Sequence, residues 1–187
     1  MKKLMILATV ALCAVMTQAA QFEWSLRQVR EGWDNGDNKA DGTAYLFLVG
    51  STYDTDKTVT EAAVASTISG ATSASSLATA LSGMAIDTAS VSGGQATGTS
   101  GAVDATAPAQ LFFVVISDDG HAYQGAAQTL TALETLGSTA IDFGSQKSAS
   151  SASSAWTNVG GGEVPEPTSG LLMLVGLGAL ALRRRRA

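Results

Sequence analysis

The sequence predicts a mainly β fold, a sheet or a sandwich with one or two short helices, preceded by a signal peptide and followed by one transmembrane helix. Two continuous apolar runs, at residues 44–49 and 111–116, have the length of strands and are rich in aromatic and β-branched residues. Residues 22–29 instead alternate apolar and polar side chains, which is typical of a strand with one buried face. The two runs therefore predict central strands, and the alternating segment predicts a half-buried strand early in the chain.

The segment 1–19 has the composition of a secretory signal peptide. Two lysines precede an apolar stretch, and small residues follow it. We expect signal peptidase to cut after Ala19, because this places Thr17, and not a bulkier glutamine, three residues before the cut. The single cysteine, Cys13, lies within this segment. The mature chain would then have no cysteine for a disulfide, a thiolate nucleophile or a metal site.

The stretch between the two apolar runs favours helix. Thr58 and Glu61 have the spacing of a capping box, and Val64 and Ile68 lie on one helical face. Gly70 can end this helix. The same four-residue spacing of leucines predicts a second short helix over residues 77–82.

The remaining body is rich in small residues. Residues 84–107 predict loops with at most one edge strand, whereas residues 140–143 predict a strand. The pattern at 130–136 fits either a helix or a strand. Serine, alanine and glycine dominate 145–163 and predict a flexible tether, in which Trp156 could fix a last strand to the domain. The exported domain is thus expected to span 20–144.

The net charge of the predicted mature body disfavours some classes of binding partner. Without the two end segments, the chain keeps 5 of its 11 basic residues and 15 of its 16 acidic ones, a net charge of about −10. A strongly acidic body disfavours binding to nucleic acid and to anionic membrane surfaces. We therefore expect no nucleic-acid partner.

One cluster in the body combines carboxylates with an imidazole. Asp118, Asp119 and His121 follow the second apolar run and suggest a metal site or acid-base chemistry. The favoured interpretation is a turn through Asp118, Asp119 and Gly120, with His121 on the surface. No GxSxG nucleophile motif occurs in the sequence, so no catalytic residue is assigned and no cofactor is expected.

Two further features suggest ligands. The polar segment 34–42 could bind calcium, but Lys39 and Leu48 occupy positions where an EF-hand loop needs oxygen ligands, and a polar loop is favoured. Aromatic residues could stack on carbohydrate, although burial in the core is the favoured interpretation. These residues are Trp24, Trp33, Tyr53, Tyr123 and Trp156.

The segment 164–187 arranges three features of different chemistry in a fixed order. Pro165 and Pro167 flank Glu166 and disfavour helix, so they predict an extended, accessible peptide. An uncharged apolar run follows and predicts a transmembrane helix over residues 169–182. The run ends at four consecutive arginines, Arg183, Arg184, Arg185 and Arg186.

The predicted membrane helix is short. Fourteen residues span about 21 Å, against a hydrocarbon core of about 30 Å. Snorkelling arginine side chains and local thinning of the bilayer can make up the difference. The alternative, a buried core helix, would have to solvate four arginines beside its apolar face, so the membrane helix is favoured. The arginines then predict a cytoplasmic C-terminus.

The same segment resembles the C-terminal sorting signal of the PEP-CTERM proteins of Gram-negative bacteria. The resemblance covers residues 164–187 and implies recognition by an exosortase, a membrane-embedded cysteine peptidase that would cut near residues 165–167. It also implies that the four arginines retain the helix in the membrane. An inner-membrane precursor would then give rise to a form at the cell surface or outside the cell.

Three functions of different classes remain open on the sequence alone. The leading one is an exported, non-enzymatic protein that is anchored by its tail and processed for the cell surface or an extracellular polysaccharide matrix. The second is a secreted module that binds carbohydrate or calcium. The third is a small secreted hydrolase, for which Asp118, Asp119 or His121 would be indispensable.

Overall fold

A computed structural model describes residues 18–34, 36–134 and 137–159. These residues form twelve strands and three helices. In chain order they are β1 (Gln18–Arg27), β2 (Gly42–Leu48), β3 (Thr52–Tyr53), β4 (Lys57–Thr58), α1 (Glu61–Gly70), α2 (Ala74–Ser82), β5 (Asp87–Val91), β6 (Ala96–Thr99), β7 (Val103–Ala105), β8 (Ala109–Ser117), β9 (His121–Gln124), β10 (Gln128–Leu130), β11 (Ser138–Ser145), α3 (Lys147–Ser150) and β12 (Trp156–Asn158). The predicted mainly β class is confirmed.

The strands form two main sheets and one short hairpin. The first sheet has the order β11-β1-β6, with β7 also paired to β1, and its β1–β11 pair is parallel. The second sheet has the order β12-β9-β8-β2-β5, with β10 also paired to β8. Each sheet thus has one long strand, β1 or β8, whose edge is shared by two shorter strands.

The two sheets face each other across an apolar core. Strand β1 contributes Phe22, Trp24 and Leu26 to this core, while Glu23 between them and Arg27 after them are exposed. This alternation confirms the prediction of a half-buried strand, since side chains of a strand point to opposite faces in turn. Strands β2 and β8 contribute a second set of side chains from the facing sheet.

The six-stranded sheet is buried on both faces. Its second face carries Phe47 and Phe112, whose rings stack at a centroid distance of 5.0 Å, beneath the two longer helices. Helix α1 packs Val64 and Ile68 onto this face, and α2 packs its two leucines. Covering on both sides explains why β2 and β8 are continuous apolar runs. The predicted central strands and both predicted helices are confirmed.

The start of α1 differs from the prediction. Thr60, and not Thr58, is the N-cap, and its hydroxyl accepts a hydrogen bond from the Ala63 N–H at 3.0 Å. Thr58 instead pairs with Thr52 in the β3–β4 hairpin. Because Thr60 is the N-cap, Glu61 is the first helical residue and not the third, so the predicted capping box with Glu61 does not form.

The prediction of loops with at most one edge strand over residues 84–107 is wrong. Three strands, β5, β6 and β7, lie in this segment. Gly93 and Gly94 both adopt positive φ at the tip between β5 and β6, where Ser92 and Gln95 form a bridge. Beyond this turn the two strands diverge, because β5 pairs with β2 in one sheet and β6 with β1 in the other.

The predicted tether is folded as far as residue 159. Strand β11 extends to Ser145, α3 follows directly, and β12 pairs with β9. Trp156 is buried in the inter-sheet core, as expected for a residue that fixes a last strand. Helix α3 and strand β12 thus lie beyond residue 144, where the exported domain was expected to end. Three buried residues, Ser150, Trp156 and Val159, hold this segment to the domain, while most of its serines and alanines are exposed.

Two smaller expectations have different outcomes. The strand predicted at residues 140–143 is confirmed within β11. Of the ambiguous segment 130–136, only Leu130 belongs to a strand, β10, and two of its residues lie outside the described part.

Among the helices of the described residues, none combines the length and the apolarity needed to cross a bilayer. The helix predicted over residues 169–182 lies outside the described residues.

Candidate functional site

The turn after β8 places the carboxylates and the imidazole that the sequence singled out. Gly120 has a φ of 79° and donates its N–H to the Ser117 carbonyl at 3.0 Å. The His121 N–H is donated to the Ser117 hydroxyl, also at 3.0 Å. Asp118 and Asp119 are exposed at the tip. The predicted turn through Asp118, Asp119 and Gly120 is confirmed, and positive φ is a conformation that glycine adopts without strain.

His121 is half-buried and does not lie free on the surface as expected. Its ring stacks on the Trp33 indole, with the ring centroids 4.2 Å apart and the planes 5° from parallel. Trp33 in turn meets Trp156 edge to face at 4.5 Å. The His121 Nδ1 atom has no hydrogen-bond partner among the described residues. The stack on Trp33 gives His121 a packing role in the fold.

Acidic residues gather near this turn. Burial raises the pKa of the Glu31 carboxyl above its ordinary value. The negative charges of Asp119, Asp34 and Asp41 raise it further. Within the described part of the chain, no group of three or more His, Cys, Asp or Glu side chains has a geometry that could hold a metal ion. The calcium hypothesis for residues 34–42 stays a prediction.

A shallow groove of about 510 Å³ runs along the outer face of the four-stranded sheet. Its polar lining consists of Glu23, Ser25, Thr97, Thr99 and Asp142. Trp24 also lies along the groove but is only 2% exposed. Carbohydrate stacking needs an accessible ring face. The groove therefore offers no stacking platform.

Asp142 in this groove is held by neighbours on both carboxylate oxygens. The Gly144 N–H donates to Oδ1 at 2.8 Å and is the main cause of a lowered Asp142 pKa. The Ser25 hydroxyl also donates to Oδ1, and the Arg27 guanidinium donates to Oδ2 at 2.7 Å. These contacts tie β11 to β1 across the sheet surface. Asp142 thus has a structural role.

The aromatic residues that suggested carbohydrate binding are mostly core. Trp24, Tyr123 and Trp156 are buried between the sheets. Trp33 packs against this core, and Tyr53 packs half-buried beside the helices. The favoured interpretation of these side chains as core residues is confirmed for the three buried ones.

The predicted signal cleavage site adjoins the first strand. Strand β1 begins at Gln18, and Gln18 and Ala19 pair with Ala105 and Asp104 of β7. Ala20, the first residue after the predicted cut, pairs with Val103 and is buried. Cleavage after Ala19 would remove two of the three β1–β7 pairs and leave the rest of the strand in place.

The sorting residues predicted from the sequence lie outside the described residues. These are Pro165, Glu166 and Pro167 together with Arg183, Arg184, Arg185 and Arg186. Residues 163–186 match the family model of the PEP-CTERM protein-sorting motif. This segment is a PEP-CTERM sorting motif. Its bounds coincide within one residue with the resemblance found over 164–187, which is thereby confirmed.

The PEP-CTERM motif carries the functional information of the chain. It indicates an exported protein that is anchored at its C-terminal segment and processed by an exosortase, a membrane peptidase. No curated protein and no solved structure matches the chain.

The sequence did not indicate the stack of Trp33 on His121. Three strands of the six-stranded sheet, β2, β5 and β8, lie between these two residues in the chain, and the two residues meet because β9 begins beside the loop that follows β1. No local pattern marks such a pair. In contrast, every residue of the sorting motif lies within one contiguous segment.

Proposed function

We propose that this protein is an exported, non-enzymatic protein whose PEP-CTERM segment anchors a precursor in the inner membrane and delivers the folded body to an exosortase. The body is then released or transferred to the cell surface or to an extracellular polysaccharide matrix. Signal peptidase would act first, after Ala19. The observation that carries this proposal is the match of residues 163–186 to the sorting motif.

The order of features within the motif supports the proposed mechanism. The prolines keep the segment around Glu166 out of a helix, so a peptidase could take it in an extended form. An uncharged apolar run needs no solvation inside a bilayer, whereas four arginines must stay in water or among head groups. Cutting near residues 165–167 would therefore separate the acidic body from its membrane anchor.

The body supports the non-enzymatic part of the proposal through the roles of its candidate residues. Asp118 and Asp119 belong to a turn closed by Gly120, and His121 packs on Trp33. His121 thus has a packing role, and the Asp118 and Asp119 side chains are exposed at the tip of the turn. An acidic body is also suited to solubility outside the cell.

The experiment is a triple substitution in the motif, Pro165→Ala, Glu166→Ala and Pro167→Ala. Alanine favours helix, so the helix would extend into the cleavage segment. We expect full-length protein to accumulate in the inner-membrane fraction and the mature form to disappear from the surface. Fractionation followed by immunoblotting measures both.

The matched control replaces Gly160, Gly161 and Gly162 with alanine, which introduces the same number of alanines just before the motif. This control should be processed at the parental rate. Unchanged processing of the Pro-Glu-Pro variant would contradict the proposed mechanism. Equal loss of processing in both variants would also count against it.

A further inference from the structure

One side of the sandwich is formed by two edge strands. Strand β5 ends the six-stranded sheet next to β2, and β6 ends the four-stranded sheet next to β1. A tight turn at Gly93 and Gly94 joins the two strands. Among the described residues, no other strand pairs with the outer edge of either one. We call β5 and β6 together the open side of the body.

The outer edge of β5 presents the backbone groups of Thr88 and Ser90. The Leu46 carbonyl accepts from the Ile86 N–H at 2.8 Å, so Leu46 directs its backbone groups towards β5. Successive residues of a strand point these groups to opposite sides, so every second residue of β2 faces β5, and the partners of these residues include Ala89. Thr88 and Ser90, on either side of Ala89, therefore point their N–H and C=O groups away from β2.

These outward groups are accessible from solvent. The side chains of Thr88 and Ser90 are exposed, and an open groove of about 410 Å³ runs along them. Ala96 and Thr97 of β6 line the other wall of this groove, and none of its lining residues is charged. An unpaired edge of this kind can add a strand from another chain.

The open side lacks the charged side chains and prolines with which natural sheets commonly protect an exposed edge. Residues 88–103 contain neither. The carboxylate of Asp87, at the start of β5, accepts from the Trp24 indole N–H at 2.6 Å and does not guard the edge. On the opposite side, β12 has only three residues, and the Asp142 carbonyl of β11 accepts from the Gln128 side chain at 3.2 Å. The open side is therefore the less protected one.

Strand β6 repeats the pattern of β5. The Ser100 N–H donates to the Phe22 carbonyl at 2.9 Å, so Ser100 faces β1. By the same alternation Gly98 faces β1, and Thr97 and Thr99 point their backbone groups outward. Both sheets thus present an unpaired edge on the same side of the body.

We propose that the open side is an interface between two copies of this chain, in which β5 pairs antiparallel with β5 of the second copy about a two-fold axis at Ala89. This inference goes beyond the proposed function and does not depend on it. The axis places Thr88 of each copy opposite Ser90 of the other. All outward backbone groups of these two residues then find partners, and their hydroxyls meet as cross-strand pairs.

Charge favours a second copy as the occupant. The predicted mature body has a net charge of about −10, so two copies repel each other wherever their acidic surfaces meet. The repulsion is smallest where neither surface has a charge, and the open side meets this condition. A basic peptide would instead be drawn to acidic surfaces such as the exposed turn of Asp118 and Asp119.

The contact is small for a protein interface. Strand β5 has five residues, whereas stable interfaces bury about 1,200 Å² or more. We therefore expect a weak and reversible dimer. Disulfide cross-linking is the suitable measurement, because it traps pairs that form only transiently.

The test uses the purified full-length chain in a Cys13→Ser background, where an introduced cysteine is the only one. About the proposed axis, residue 89 faces its own copy at a Cα distance of about 4.5 Å, which a disulfide can span. The two copies of residue 88 lie about 8 Å apart, as do those of residue 90, beyond this range. We expect oxidation to link Ala89→Cys with itself and a mixture of Thr88→Cys with Ser90→Cys, but neither of the latter two alone.

The exposure of the three positions provides an internal control. Thr88 and Ser90 are more exposed than Ala89, so random collision would link them more readily than residue 89. Equal cross-linking of all three single variants, or no cross-linking of Ala89→Cys, would overturn the proposal.

A second pair of variants tests the role of the backbone. Ser90→Pro removes an outward N–H and leaves the ladder to β2 intact, a position at which an edge strand tolerates proline. Added to Ala89→Cys, it should abolish the cross-linked dimer, whereas Ser90→Ala keeps the N–H and should retain the dimer. Thermal melting verifies that each variant is folded. An undiminished cross-link in the proline variant would contradict strand pairing, and the mixture of Thr88→Cys with Ser90→Cys decides the question if that variant does not fold.

Discussion

The folded body and the PEP-CTERM segment differ in how far apart in the chain their interacting or functional residues lie. In the body, Phe22 of β1 and Trp156 of β12 belong to the same core although nearly the whole domain separates them in the chain. In the segment 163–186, the Pro-Glu-Pro triplet, the apolar run and the arginines follow one another directly. Body residues act together only after folding, whereas the sorting motif is complete in the unfolded chain.

The difference implies that stability and sorting respond to different substitutions. Many buried side chains in the two cores contribute to the free energy of unfolding. A single substitution therefore removes only a part of the stability of the body. Recognition of a contiguous motif depends on a few neighbouring residues. Substitutions in the body should therefore change unfolding and leave the cleavage site unchanged, and substitutions in the motif should do the reverse.

Phe113→Asp should have the largest effect on the body. Phe113 is 0% exposed and lies at 4.8 Å from Phe143 and 5.9 Å from Tyr123 between ring centroids. An unpaired buried charge costs several kcal/mol against a typical stability of about 5 to 15 kcal/mol, so the domain should unfold. Circular dichroism and thermal melting measure this. Gln110→Asp in the same strand, where the side chain is partly exposed, should cost less than about 1 kcal/mol. A Phe113→Asp protein that melts like the parent would show that β8 is not central.

Gly98→Ala should have an intermediate effect. A Cβ at this position would meet the Trp24 indole nitrogen and the Asp87 carboxylate, which are joined by a hydrogen bond of 2.6 Å. Overpacking of this kind costs about 1 to 3 kcal/mol. Gly101→Ala is the control, because a Cβ there has no atom within 4 Å. Urea unfolding of the pair tests the contact, while the mature mass of Gly98→Ala should correspond to the same cleavage site as in the parent. Equal stabilities would contradict the packing described for β6.

Glu31→Gln should have the smallest effect and a pH dependence. Burial, together with nearby carboxylates, raises the pKa of Glu31 in the folded chain. A carboxyl with a raised folded pKa favours folding when protonated, and this contribution is lost as the pH rises through the folded pKa. At pH 7 the substitution should therefore increase the free energy of unfolding, by up to about 0.5 kcal/mol for such a solvent-screened site.

The advantage of Glu31→Gln should vanish below about pH 4, where the carboxyl is also protonated in the unfolded chain. Glu23→Gln removes the same charge from the exposed face of β1 and serves as the control. If the two substitutions increase the free energy of unfolding equally at pH 7, the increase comes from the change in net charge and not from the environment of Glu31.

The parts of the fold that the sequence predicted are those in which local pattern and burial agree. The central parts of β2 and β8 are apolar because sheet and helices cover both of their faces, and β1 alternates because one face is exposed. Strand β6 escaped prediction because Ala96–Thr99 is small and polar, although Gly98 is needed there by the close approach of Trp24.

The fold of residues 145–155 escaped prediction for a related reason, whereas the strand at Trp156 was expected. Their serines and alanines have the composition of a tether, yet the Ser150 hydroxyl accepts from Arg30 and its carbonyl accepts from Trp156. Such contacts join distant parts of the chain, and composition does not record them. The sorting motif needs no distant partner, and its residues could therefore be named from the sequence in full.

The most direct test of the account is the intact mass of the mature protein recovered from the cell surface. We expect a chain that starts near Ala20 and ends between Val164 and Thr168, with or without a group added at the new end. The same mass, changed only by the substitution itself, should be found for Gly98→Ala. A mature protein that still contains Arg183 to Arg186 would contradict the account.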